Sequence, residues 1–167
     1  MPVQQFSLVV DREPGRGRRV VVGGPARWDR SPDGAPRVSF DREAPSLVDA
    51  VIAAIADVEA TGLRVVRVDD RDWVTLADIA ARIGRSREIV RLWALGRKGP
   101  GGFPPPVNPG MDTSFYSWAG VSPWLRERMG FDLPDDEPVL VATNLALRLR
   151  ALAPRIRQME LIRALVS

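Results

Sequence analysis

Cysteine and histidine are both absent from this chain of 167 residues, and lysine and tyrosine occur once each. The first absence excludes disulfides and thiolate nucleophiles. The second removes Ser-His-Asp triads and the commonest general base, and the two together remove zinc fingers built on Cys and His. A carboxylate or lysine mechanism would have to start from scattered groups, and the only lysine is Lys98. No nucleophile, base and oxyanion donor assemble from any visible motif, so a non-enzyme without cofactor or metal is expected. Long hydrophobic runs are missing too: charges interrupt every apolar stretch, and the opening MPVQQFSLVV is short and has no basic start. Those features predict a cytoplasmic protein with no membrane partner.

What is present is 45% apolar residues, enough for a real core in one domain or two small ones. Arginine outnumbers lysine 23 to one, an imbalance that GC-rich coding produces without any nucleic-acid partner. The placement of charge says more than its amount. Residues 1–74 carry 11 arginines and 12 carboxylates, residues 75–98 six basic and two acidic groups, and residues 99–167 seven of each. The net charge of +3 therefore arises in 24 consecutive residues.

That segment has the spacing of a helix-turn-helix. Thr75 opens a Thr-x-x-Asp capping box with Asp78, and Leu76, Ile79 and Ile83 mark the buried side of a first helix. Gly84 permits a left-handed turn. Ser86 caps a second helix running to about Leu95, whose Ile89, Val90 and Trp93 return to the core at three- and four-residue intervals. Ala80 is small enough for the two helices to cross closely. The outer face then holds Arg87, Glu88 and Arg91, with Arg85 and Ser86 at its start, groups that reach phosphates and base edges. A two-helix hairpin is also a common packing unit. The concentration of basic charge on the one segment with recognition geometry favours a polyanion partner.

Residues 74–125, VTLADIAARIGRSREIVRLWALGRKGPGGFPPPVNPGMDTSFYSWAGVSPWL, resemble the DNA-binding domains of small helix-turn-helix proteins from high-GC bacteria, related to the MerR and phage excisionase type of winged helix. The Gly-Pro-Gly-Gly-Phe-Pro run at 99–104 and the aromatic pair ahead of a Val-x-x-Trp-Leu helix carry most of the likeness. The resemblance implies DNA binding, as a regulator or as an architectural factor. It also implies a wing: Phe103 to Val107 and Ser114 to Trp118 would pair around an Asn108-Pro109-Gly110 turn, with Arg97 and Lys98 at the base as phosphate contacts. Phe115, Tyr116 and Trp118 could stack on bases, but core packing with Trp93, Phe103 and Trp124 is the stronger expectation.

Before this region, Gln5–Val10, Arg18–Val22 and Arg37–Phe40 read as strands, separated by the Gly/Pro-rich DREPGRGR and GGPARWDRSPDG. Arg16, Arg18 and Arg19 could form a minor-groove arm, although a solvated loop is the simpler reading. Ser46–Thr61 predicts a helix with Leu47, Val48, Val51, Ile52, Ile55 and Val58 on its apolar face, closed by Gly62. Leu63–Val68 follows as a strand with Leu63, Val65 or Val66, and Val68 inward. Asp69, Asp70 and Asp72 could hold a hard cation, but Arg71 in their midst favours an acidic linker. After the wing, a helix ends near Gly130, Asp132–Pro138 reads as a linker, and two helices broken at Pro154 close the chain. Their apolar residues are too many for one solvated stripe, so they fold back on the body or bury a face against another copy.

The expected fold is α+β in three parts: residues 1–70, strands and one covering helix; 73–130, a winged helix-turn-helix; and 135–167, helices that could dimerise. The expected function is sequence-specific binding of double-stranded DNA as a homodimeric transcriptional regulator, with DNA contacts from Thr75, Arg85, Ser86, Arg87, Glu88, Arg91, Arg97 and Lys98. Alternatives are an excisionase-like or architectural DNA-binding protein, and an antitoxin-like module that binds a protein partner.

Overall fold

The computed structural model describes residues 1–15 and 25–167. It is an α+β chain of two compact units: unit 1 comprises Met1–Asp69 with Val139–Ser167, and unit 2 comprises Asp70–Pro138. The predicted strand Arg18–Val22 and the Arg16, Arg18, Arg19 cluster lie outside the described residues.

Unit 1 is built on an antiparallel sheet of β1 (Val3–Val10), β2 (Ala26–Arg30), β3 (Pro36–Glu43) and β4 (Val65–Val68), in the order β2-β3-β1-β4. Register follows the alternation of apolar residues: Phe6 lies opposite Phe40, their rings stacked with centroids 5.3 Å apart, and Leu8 lies opposite Val38. Strand β2 falls within the stretch read from sequence as loop. Its Trp28, opposite Val38, packs against the core while Arg27 and Asp29 point away, a period-two pattern too short to stand out beside so much glycine and proline. A bulge where β1 pairs with β4 settles the inward residue of the last strand: Val65 and Val68 are both buried, and the extra Val66 is exposed.

Helix α1 (Leu47–Ala60) covers the sheet. Ser46 caps it by accepting from the Asp49 N–H at 3.1 Å. Its buried side is Ala50, Val51, Ala54, Ile55 and Val58, whereas Val48 and Ile52, expected inside, are exposed. The physical reason is that the two alanines let the helix lie close to the sheet, which turns the flank bearing Val48 and Ile52 to solvent.

Residues 139–167 belong to unit 1 rather than forming a body of their own. Helix α5 (Val139–Leu152) lies along β4, with Leu147 in the core and Leu140 packed against it. Asn144 Nδ2 donates to the Val68 carbonyl and its Oδ1 accepts from the Val68 N–H, both at 2.7 Å. Two turns away, Arg150 forks onto Glu59 of α1 at 2.7 and 2.9 Å and reaches the Val65 carbonyl at 3.1 Å, while Glu59 accepts from the Val65 N–H at 3.2 Å. Pro154 ends the run, and α6 (Met159–Arg163) follows.

Unit 2 holds β5 (Trp73–Val74), α2 (Leu76–Ile83), α3 (Arg87–Ala94), β6 (Tyr116–Ser117) and α4 (Trp118–Met129). Its core gathers Val74, Ile79, Val90, Trp93, Tyr116, Val121, Trp124 and Leu125. Strand β6 pairs with β5, not with Phe103–Val107. The three prolines at 104–106 have no N–H to give to a ladder, so the expected two-stranded hairpin reduces to one backbone bond, Val107 N–H to the Phe115 carbonyl at 2.8 Å. Asn108 fastens the same loop, donating to the Thr113 carbonyl at 2.8 Å and accepting from the Phe115 N–H at 2.7 Å.

Asp72, read from sequence as linker, is buried and closes this unit. Its carboxylate accepts from the Ser117 hydroxyl at 2.6 Å and the Ala119 N–H at 2.8 Å, and its carbonyl accepts from the Trp118 N–H at 2.8 Å. It thereby caps α4, whose own Ser117 makes no side-chain cap and which carries Pro123 beyond its first turn. The second expected linker, Asp132–Pro138, is partly packed: Leu133 lies against the core beside Phe131, and Arg126 bonds Asp135 at 2.9 Å.

Two outcomes follow. Asp72→Ala is expected to lower the stability of unit 2 by about 1–3 kcal/mol and Asp72→Asn by less, since the amide keeps one acceptor. Urea unfolding followed by tryptophan emission, four of whose five sources lie in unit 2, measures both. For Glu59, burial alone would raise the carboxyl, but the hydrogen bonds from Arg150 and the Val65 N–H outweigh it and hold it below its ordinary value of 4.5. Its stabilisation is thus complete above that pH and is lost as pH falls through the folded value. Glu59→Gln is expected to weaken unit 1 at pH 7 and to flatten the acid side of its stability profile; parallel profiles for the two proteins would remove Glu59 from that role.

Candidate nucleic-acid interface

The local sequence dictates the geometry of the α2–α3 unit. Thr75 and Asp78 form a reciprocal box, Asp78 N–H to Thr75 Oγ1 at 3.1 Å and Thr75 N–H to the Asp78 carboxylate at 2.8 Å. Gly84 ends α2 at φ 67°, in the left-handed region, and the N–H groups of Gly84 and Arg85 both return to the Ala80 carbonyl. Ser86 restarts the chain as α3 by accepting from the Ile89 N–H at 3.3 Å. Val90 and Trp93 bury one side of α3, which leaves Arg87 and Glu88 exposed and Arg91 half-buried.

The chain beyond α3 is tied back to it. The N–H groups of Arg97 and Lys98 donate to the Leu92 carbonyl at 2.9 and 3.3 Å, which seats both cations at the C-terminal end of α3. Gly99 passes so close to Trp93 that an added Cβ would lie 3.2 Å from Cδ1 of the ring. Trp124 donates its Nε1–H to the Gly101 carbonyl at 2.9 Å, and its ring meets Phe103 with centroids 5.1 Å apart. The aromatics proposed for base stacking are therefore mostly structural: Tyr116 is buried against Phe103, and Trp118 lies beneath Arg82.

The eight residues singled out from sequence divide by role. Arg85, Arg87, Glu88, Arg91, Arg97 and Lys98 bear the charge of α3 and its two ends. Thr75 and Ser86 have their hydroxyl oxygens engaged as helix caps. Arg91 forks onto Glu88, Nε and Nη2 donating at 2.9 and 2.8 Å. That fork, with Arg87 and Arg97 nearby, holds the Glu88 carboxyl below its ordinary range. Among the described residues, Arg85, Arg87, Arg97 and Lys98 form no ion pair, whereas in unit 1 Arg12, Arg27, Arg30, Arg37, Arg42, Arg64, Arg67 and Arg150 all pair with carboxylates.

Sequence reading passed over Arg82. It sits in the last turn of α2 with its guanidinium 4.6 Å from the centre of the Trp118 ring, exposed and without an ion pair among the described residues. Arg85 lies similarly over Phe131, at 5.5 Å. A ring beneath a guanidinium leaves its in-plane donors free while restricting its motion. The adjacency of Arg82 to the Gly84 turn was the available signal.

No family model, curated protein or solved structure matches the chain. The three neighbouring aspartates do not gather at one point: Asp69 pairs with Arg37 at 3.0 Å and Asp72 caps α4, and among the described residues no three acidic side chains cluster as metal ligands would. No described helix is long and apolar enough to cross a membrane.

Because nothing lies within 4 Å of a Cβ built on Gly84, Gly84→Ala meets only backbone strain. It is expected to cost about 1 kcal/mol without distorting the turn, and Gly84→Val, which is β-branched, more. Denaturant titration of the two variants checks this; equal stabilities of all three proteins would show that the turn does not hold the positive φ.

Proposed function

We propose that unit 2 binds double-stranded DNA as a helix-turn-helix of the winged excisionase and MerR-like type, in a dimeric transcriptional regulator. The observation that carries the reading is that Arg82, Arg85, Arg87, Arg97 and Lys98, around α3 and its flanks, form no ion pair among the described residues, whereas the described arginines before Asp69 all pair with carboxylates. An ion-paired arginine must give up its carboxylate before it can neutralise a phosphate and release counterions from DNA; an unpaired one need not. In this reading α3 lies in the major groove with Arg87 and Arg91 at base edges, and Arg82, Arg85, Arg97 and Lys98 hold phosphates on either side. The loop from Gly99 to Phe115 takes the place of the wing. Arg91 exchanges the Glu88 carboxylate for guanine O6 and N7, a planar fork for a planar pair of acceptors. Two copies would offer two such helices to a palindromic or repeated site.

A second reading, a module that binds a protein partner, draws on Trp73. Its ring is more than half exposed and rests on Phe115 with centroids 5.7 Å apart, and exposed tryptophans anchor protein interfaces.

The test is affinity for mixed duplex fragments across a salt series, with sequencing of the fragments retained at highest salt. Four to six phosphate contacts per subunit would give a logarithmic salt slope of roughly −4 to −5, and twice that for a dimer. Replacing Arg85, Arg97 or Lys98 by Ala is expected to reduce the slope by about 1 each, whereas Arg91→Ala should weaken the preferred site about 10- to 100-fold and relax one base position. Binding without a shared motif would favour the architectural role. Absence of binding at low salt would leave the protein-partner reading.

A further inference from the structure

The two sides of α5 differ in what meets them. At 100° per residue, Leu140, Asn144, Leu147 and Arg150 fall on the side that meets β4 and α1. Leu145, Leu149 and Leu152, spaced four and three apart, fall on the opposite side; Leu145 is 63% and Leu152 50% exposed. The chain beyond continues the pattern, with Leu161 and Leu165, then Ile162 and Val166, one turn apart and open to solvent.

We infer that this outward stripe of α5, extended by the apolar tail after Gln158, is the seam on which a second copy of this chain docks. It deepens the proposed regulator by locating its dimer contact, and rests on that reading only for the dimeric form. The exposed leucines, isoleucines and valine of residues 145–166 together leave roughly 700 Å² open, close to what one partner of a standard interface contributes. Two copies would bury about 1,400 Å², within the range of a stable interface, and a two-fold pair brings the same stripe to itself. Charge distinguishes this occupant from others. Exposed Arg148, Arg155, Arg157 and Arg163 accompany the stripe against the single Glu160, so two copies bring like charges together. Self-association through the seam therefore strengthens as salt screens that repulsion, while an acidic protein or an anionic lipid surface would bind less tightly in salt.

Sedimentation velocity on the full chain at low and high salt tests the seam, with Leu145→Glu/Leu152→Glu and Leu161→Ser/Leu165→Ser as variants and circular dichroism as the check on folding. The expected result is a dimer of the 18.4 kDa chain that tightens with salt. Each double variant should remain folded and dissociate at roughly 30-fold higher concentration or more. Should the first variant lose its fold, the tail variant carries the comparison. A wild-type monomer at high micromolar concentration, a dimer that weakens in salt, or a dimer unchanged by a folded variant would each overturn the seam. Failure of the DNA reading shows elsewhere, as a dimer that retains no duplex.

Discussion

Unit 2 depends on one carboxylate. Asp72 stands immediately before β5, and by accepting from Ser117, Trp118 and Ala119 it binds the start of the unit to the start of α4, nearly fifty residues later. The two-residue pairing of β5 with β6 is too small to hold by itself. With Asp72 in place, two of the N–H groups at the head of α4 have a partner, Ala119 in the carboxylate and Trp118 in the backbone carbonyl, and Trp124 and Leu125 are directed into the core that also buries Val90 and Trp93 of α3. The exposed face of α3 is thus fixed from behind by residues that bear no part of its charge.

Most of what is local was legible in the sequence. The Thr75 and Ser86 caps, the Gly84 turn, and the ends of α1 and α4 at Gly62 and Gly130 follow from residue types whose preference comes from the backbone within a turn of them. What was not legible is pairing at a distance. Asp72 looks like its neighbours Asp69 and Asp70 until Ser117 and Ala119 are beside it. Asn144 and Arg150 draw no notice in the sequence, since the partners that give them a role, Val68, Val65 and Glu59, lie 76 to 91 residues away. The segment Phe103–Val107 invited a ladder because its spacing suited one, yet its prolines lacked the donors.

The candidate interface divides in the same way. Arg85, Arg87, Arg91, Arg97 and Lys98 stand out by charge and by offset from the turn, so a sequence suffices to find them. That Arg91 is held by Glu88 while Arg85 and Arg82 rest on rings depends on packing, and only the folded chain distinguishes an arginine already committed from one that is not. The distinction bears on salt dependence, because a guanidinium leaving a carboxylate gains less from a phosphate than one leaving water.

The side chains along β4 have a consequence for what unit 1 can meet. Strands at the margin of a sheet ordinarily offer a row of free peptide groups, on which a foreign extended segment can build another strand. Here Glu59 and Arg150 occupy the peptide groups of Val65, and Asn144 occupies those of Val68, its carboxamide serving as a surrogate neighbour. Templated growth is therefore blocked along this margin by three side chains rather than by a charge or a proline. A partner approaching this side of unit 1 meets shape and side chains at Val65 and Val68, whose peptide groups are already taken.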